Sequence, residues 1–180
     1  MICEQQELVA SALIGIFAGI ISSLISHVLL RFSKPRIKIA KQIAKSKKGS
    51  GYEYRFKIVN LSRSYAKNVR IQFEMVTDVI GKGGTISKVI PISLVRDNID
   101  FIDEYRRKDK NANYAVRFAI KDDLEDIWVD DEHSYLRLKF YCENESSGCG
   151  KVFVQKYEIK SNSIKEGAYE FGKSCEIVSR

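Results

Sequence analysis

Residues 52–77 read YEYRFKIVNLSRSYAKNVRIQFEMVT, and their period of two decides the fold. Tyr52, Tyr54, Phe56 and Ile58 share one side, with Glu53, Arg55 and Lys57 opposite. After the turn-like NLSRSYAKN, Val69, Ile71, Phe73 and Met75 point one way and Arg70, Gln72 and Glu74 the other. Alternation of this kind marks strands buried on one face. The pattern recurs on both sides. Residues 36–43 place Ile37 and Ile39 together. Residues 86–94 are apolar and interrupted by Pro91, which suits an edge strand. Residues 114–120 alternate Tyr114, Val116, Phe118 and Ile120, and residues 136–142 alternate Leu136, Leu138, Phe140 and Cys142. Residues 151–159 read as a further strand.

Turn signals lie between these runs: SKKGSG at 46–51, IGKGG at 80–84 and NESSGCG at 144–150. About seven antiparallel strands, each with one wet face, predict a β-sandwich of immunoglobulin-like type, with a small barrel as the alternative. Two pieces do not alternate. VRDNIDFIDEYRRKDK at 95–110 predicts a helical turn or an excursion between sheets, and DDLEDIWVDDE at 122–132 predicts an acidic loop bearing the lone tryptophan, Trp128. Residues 164–180 read as rough helical spacing followed by a final edge strand.

Upstream of all this, residues 8–30 read LVASALIGIFAGIISSLISHVLL, with no Asp, Glu, Lys or Arg. At about 1.5 Å per residue, a helix of that length matches a hydrocarbon core of roughly 30 Å. The organisation expected is a single-pass segment over 1–33 and a β domain over 34–180. Glu4 and Glu7 precede the run, and Arg31, Lys34, Arg36, Lys38, Lys41, Lys45, Lys47 and Lys48 follow it. Basic flanks stay on the cytoplasmic side. The expected location is therefore the inner (cell) membrane, N-terminus out, domain in the cytoplasm. A cleaved signal peptide needs a basic n-region and a small-x-small cleavage site. The acidic start and HVLLRFSKP at 27–35 offer neither.

Within the helix, Ser11, Gly15, Gly19, Ser22 and Ser26 fall inside an arc of about 80° at 100° per residue. Small residues let helix backbones approach, so this face predicts self-association and, in an oligomer, a pore lining. A plain dimer motif is the simpler reading of the same stripe. His27 near the cytoplasmic end is within reach of headgroups.

All 30 Lys and Arg lie after residue 30, against 21 of the 23 acids, so that part carries +9. Such an excess favours an anionic partner, whether lipid headgroup, nucleotide or nucleic acid. Its plainer role is solubility. Arg31, Lys34, Arg36 and Lys38 are the ligand-binding candidates, as a basic collar at the membrane. Arg55, Lys57, Arg63, Tyr65, Lys67 and Arg70 form a second basic set, and Arg106, Arg107, Lys108 and Lys110 a third. Mixed cations and aromatics suit single-stranded nucleic acid.

Of four cysteines, Cys142 and Cys149 flank a hairpin loop and would face each other; a reducing cytoplasm keeps them as thiols. The residues provide no metal-ligand set, no cofactor motif and no catalytic motif: P-loop, GxSxG and HExxH are missing. His133 has Asp130, Asp131 and Ser134 as mere sequence neighbours, and GKGG at 81–84 lacks a strand-to-helix context. The chain is not expected to be an enzyme.

One N-terminal membrane helix, a basic junction and a β-rich domain together resemble the small membrane effectors of bacterial anti-phage operons. FKIVNLSRSYAKNVRIQFEM at 56–75 and KVFVQKYE at 151–158 look like strand pairs of their sandwich domains. In those systems a nucleotidyltransferase makes a nucleotide or oligonucleotide signal, and an oligomeric membrane protein responds by permeabilising the membrane. The resemblance implies a homo-oligomer, trimer to hexamer with the tetramer favoured, in contact with lipid, controlled by a cyclic nucleotide or short oligonucleotide and served by a partner nucleotidyltransferase. It transfers a role and no binding residue. The alternative from another class is a membrane-anchored adaptor or binding module without channel activity.

Overall fold

The computed structural model describes residues 2–32, 34–49, 51–128 and 133–179, and within the N-terminal helix the side chains of 13–29. The chain divides into two compact units, residues 1–34 and 35–180. The first is one helix, α1 (Ile2–Phe32). Pro35 follows closely, where a helix cannot continue. The side chains from 13 to 29 are exposed. Among the described residues no helix is long and apolar enough to cross a membrane.

The second unit is mainly β. Its strands are β1 (Ile37–Ile39), β2 (Ile43–Lys48), β3 (Gly51–Asn60), β4 (Ala66–Gly81), β5 (Gly84–Pro91), β6 (Asn98–Ile102), β7 (Ala115–Ile120), β8 (Ser134–Asn144), β9 (Gly150–Tyr157), β10 (Ile164–Glu166), β11 (Ala168–Tyr169) and β12 (Ile177–Val178). Two single turns of helix, α2 (Leu124–Ile127) and α3 (Lys160–Ser163), sit between them. One five-stranded sheet runs β1-β3-β2-β10 with β7 also on β3; the other runs β5-β4-β8-β9 with β6 also on β4.

The predicted alternation is what joins the sheets. Tyr54, Phe56 and Ile58 of β3, Phe118 and Ile120 of β7, Ile71, Phe73 and Met75 of β4, and Leu136, Leu138 and Phe140 of β8 bury into one core. Phe56 of the first sheet meets Phe73 of the second at 5.6 Å between ring centroids, tilted by 40°. Trp128 is 1% exposed and joins that core from the segment after α2. The acidic loop thus carries a core residue, and the carboxylates of Asp122 and Asp123 are engaged. Asp123 caps α2 through Glu125 N and accepts the Tyr54 hydroxyl at 3.1 Å, while Asp122 accepts Ser93 N. Residues 129–132 of that loop lie outside the described residues.

Several expectations change. The strand expected over 36–43 is two strands, because Ala40, Ile43 and Ala44 are all buried and break the alternation. Among the described residues twelve strands replace about seven, and β2–β10 is parallel. The excursion at 95–110 contains β6, paired to β4. β5 lies at the sheet edge and ends on Pro91, as expected. Tyr114 leaves the β7 alternation and packs with Val59 and Ala112. Cys142 and Cys149 do not face each other: the β8–β9 register sets Cys142 opposite Lys151, and both thiols are free. Burial pushes the Cys142 thiol pKa up to about 12.

The largest departure concerns the first sheet. Its outward face is partly covered. Lys57 sits there at 1% exposure, because the C-terminal tail covers it.

Candidate functional site

The tail lies down through pairing and capping. β10 pairs β2, and Gly167 N then donates to Lys45 O at 2.9 Å. Gly167 has φ +130°, and a Cβ there would sit 2.4 Å from Val178 O. Only glycine permits that approach. β11 and β12 then form a two-stranded ribbon. Tyr169 and Ile177 pack on Ala40 and Ala44, with Cys175 against them. Tyr157 donates its hydroxyl to Ala40 O at 2.9 Å, and Tyr169 donates to Gln42 O. Burial holds both phenol pKa values above their usual range.

Beneath the ribbon loop, Lys57 Nζ donates to Glu170 O and Ser174 O, each at 2.7 Å. Its partner across the β3–β7 ladder, Arg117, donates to Tyr169 O at 3.2 Å. Two cations from adjacent strands therefore hold carbonyl oxygens of one tail. Burial first, and then the Arg117 charge, lower the Lys57 pKa.

Beside this layer opens a cleft of about 680 Å³, lined by Lys38, Ile39, Lys41, Gln42, Asn162, Ser174, Cys175 and Glu176. Lys38 points out of β1 because Ile37 and Ile39 point in, against the core. Lys41 and Gln42 come from the β1–β2 connection, whose Gln42 amide donates to Asn162 O at 3.1 Å. Ser174 to Glu176 are brought by the tail, with Ser174 Oγ accepting Glu176 N. Burial raises the Cys175 thiol pKa; Lys38 and Lys57 oppose it. Two ammonium groups in one lining with the Ser174 hydroxyl can hold an oxyanion, against the single carboxylate of Glu176. Nothing in the lining is arranged as a nucleophile with a base.

The structure divides the predicted collar. Lys38 lines the cleft, and Arg36 and Lys34 are exposed. The Arg31 side chain lies outside the described residues. Farther along the same run, Lys45 pairs with Glu125 at 2.7 Å and Lys48 with Glu53 at 2.9 Å. The second basic set is engaged in part, with Arg63 and Arg70 exposed. Lys57 is buried, Arg55 pairs with Glu53 at 2.6 Å, and Lys67 pairs with Glu145 at 2.6 Å. In the third, Arg106 pairs with Glu104, and its hollow of about 380 Å³ also holds Asp103 and Asp109. On α1, Gly15 and Gly19 face open space and Ser22 and Ser26 are exposed; the Ser11 side chain lies outside the described residues. Ser134 bonds Thr77 at 3.0 Å, whereas Asp130 and Asp131 lie outside the described residues. Among the described residues no three His, Cys, Asp or Glu side chains gather as a metal site would require.

Sequence reasoning had Lys38 among its ligand candidates and Lys41 in the same basic run, and did not single out Gln42, Asn162, Ser174 or Cys175. No local signal marks them, because the tail assembles the cleft from both ends of the domain.

The geometry is that of a β-rich domain with a cationic cleft, preceded by a separate helix. No protein-family model matches the chain, and no curated protein matches it. Among solved structures it is similar to the sporulation control protein Spo0M from Bacillus subtilis, at 9% identity and a TM-score of 0.36, covering 76% of this chain and 49% of that one. The chain spans about half the length of that protein.

Proposed function

We propose that this chain is a membrane-anchored effector whose β domain binds a nucleotide or short oligonucleotide and whose helix associates with copies of itself to permeabilise the membrane. The reading places it in the inner membrane, N-terminus out, with the domain in the cytoplasm. The charge-free segment 8–30 inside α1 and the basic run after it support the anchor. The strand order supports an immunoglobulin-like sandwich. β1 and β2 run along one edge of β3 with β7 on its other edge, and β5-β4-β8-β9 form the facing sheet.

The observation that carries the ligand is the cleft. Lys38 and Lys41 line it and enter no ion pair among the described residues, unlike Lys45, Lys48, Arg55, Lys67 and Arg106. An anion therefore finds two cations there whose ion pairs it need not break, beside the single carboxylate of Glu176 in the lining.

The test has two readouts on the full chain. A fluorescent oligonucleotide should bind the detergent-solubilised protein, more weakly as salt rises. Lys38→Glu with Lys41→Glu should abolish binding, while Arg106→Glu with Arg107→Glu should change it little. Equal loss in both pairs, or no binding at low salt, removes the ligand. Liposomes carrying the protein should leak ions when the oligonucleotide is present. Normal insertion without flux in any condition removes the channel and leaves the adaptor.

A further inference from the structure

Among the described residues β4 pairs β8 as far as Thr77 opposite Ser134, with one further backbone bond from Asp78 N to His133 O. β4 and β5 run on past that point as a hairpin, with Val79 opposite Ile86, Ile80 opposite Thr85 and Gly81 opposite Gly84. Its turn is Gly81-Lys82-Gly83-Gly84, and Gly84 has φ +133°. This tip is apolar where water should favour polar residues. Ile80 and Ile86 are each 72% exposed, and Val79 is 53% exposed.

The distribution of these side chains identifies what they fit. Val79 and Ile86 lie on one face, and Ile80 lies on the other. A protein partner docked on one face would leave the opposite face wet. A lipid interface surrounds a tip from every side. Charge points the same way. Lys82 at the turn and Lys88 on β5 are cationic, and the one acid between residues 78 and 91, Asp78, accepts the Ser87 hydroxyl at 2.6 Å. A second copy would set lysine against lysine, whereas an anionic headgroup layer complements them.

We propose that the hairpin tip, residues 78–88, inserts at the headgroup–acyl boundary of an anionic membrane. Its depth is limited to that boundary, because the outer edges of both strands carry backbone groups that hydrocarbon could not satisfy. Lys82 and Lys88 reach back to phosphates while the isoleucines enter. This contact is separate from the α1 anchor and stands without it.

The test uses the full chain with vesicles of phosphatidylcholine, with and without phosphatidylglycerol, containing a doxyl-labelled quencher lipid. Ile80→Trp and, separately, Ile86→Trp add one exposed tryptophan to the buried Trp128. Val154→Trp, exposed on β9, is the reference. Quenching at 80 and 86 should exceed that at 154 several-fold on anionic vesicles, fall with salt, and fall again with Lys82→Glu plus Lys88→Glu. Protein that floats with vesicles but is quenched no more at 80 and 86 than at 154 overturns the hairpin contact and leaves the anchor. Protein that never reaches anionic vesicles overturns both. A blue shift at 80 that grows with protein concentration, without lipid quenching, assigns the tip to a second copy instead. Quenching at 80 and 86 in protein that high salt strips from the vesicles keeps the hairpin and removes the anchor.

Discussion

Replacing Lys57 with methionine isolates what holds the tail. Methionine keeps most of the stem but removes the ammonium, leaving Glu170 O and Ser174 O without the two 2.7 Å bonds they now receive. A hydrogen bond to a charged group contributes roughly 1.5–3 kcal/mol, and a buried acceptor left unmatched costs about 1–3 kcal/mol. The substitution also removes the penalty of burying a charge, which is the leading cause of the lowered Lys57 pKa and offsets part of that loss. The net expectation is about 2–4 kcal/mol, located in the tail. Opening of residues 168–178 should then rise by roughly 30-fold or more, since 1.4 kcal/mol is a factor of ten. Hydrogen exchange of the Glu170 amide, which donates to Glu176 O, reads this directly. Emission of Trp128 under urea reports the core separately, because it is the one tryptophan and is buried there. Faster exchange at 170 with a small change in the Trp128 midpoint is the expected result. Unchanged exchange in a folded Lys57→Met protein would refute the account of two carbonyls held by one ammonium.

Gly167→Ala should be worse than a usual loop substitution, because the added Cβ meets Val178 backbone at 2.4 Å and φ +130° suits only glycine; we expect a loss of about 2 kcal/mol or more and exposure of the tail to protease. Burial raises the Glu74 carboxyl pKa, but hydrogen bonds from Lys139 and Arg137, both at 2.7 Å, outweigh it and leave the pKa lowered. A lowered carboxyl pKa contributes stability above its unfolded value and loses it as pH falls through the folded one. Glu74→Gln should therefore cost about 1 kcal/mol at neutral pH, with the gap to the native protein closing below about pH 4.3, as urea midpoints across pH will show.

The inner faces of β3, β4, β7 and β8 were legible because burial on one side imposes a period of two. The outer face of the first sheet was not. Alternation reports which way a side chain points, and it says nothing of what arrives to cover it. Lys57 looked solvated for that reason. The segments that cover it, β11 and β12, are two residues each and too short to show any period. The run 36–43 misled for a related reason: Ala40, Ile43 and Ala44 serve two buried clusters on opposite sides of the sheet, so the pattern breaks at 40–42. Charge runs misled through their counter-ions. Eight cations in a row of eighteen residues read as one basic collar. Yet Glu125, eighty positions from Lys45, neutralises that cation and also reaches Lys160. The acidic loop that looked separate is in part the counter-charge of the collar.

The cleft and the tail are coupled by construction. Ser174, Cys175 and Glu176 form one wall, and the same loop is held from beneath by Lys57 through Ser174 O. An anion that needs this wall binds only the closed tail, so it stabilises closure by RT ln(1 + [L]/Kd), about 2.7 kcal/mol at a hundredfold excess over Kd. That is the same size as the loss expected from Lys57→Met, so a saturating anion should restore most of the lost protection at Glu170. The reverse effect is smaller. Affinity falls only by the fraction of tails that are open, and a tail that starts several kcal/mol closed remains mostly closed after losing two. Lys57→Met should thus expose the tail strongly while weakening the anion little, whereas Lys38→Glu with Lys41→Glu should do the opposite. A ligand that bound elsewhere on the domain would leave the exchange of Glu170 untouched in every variant.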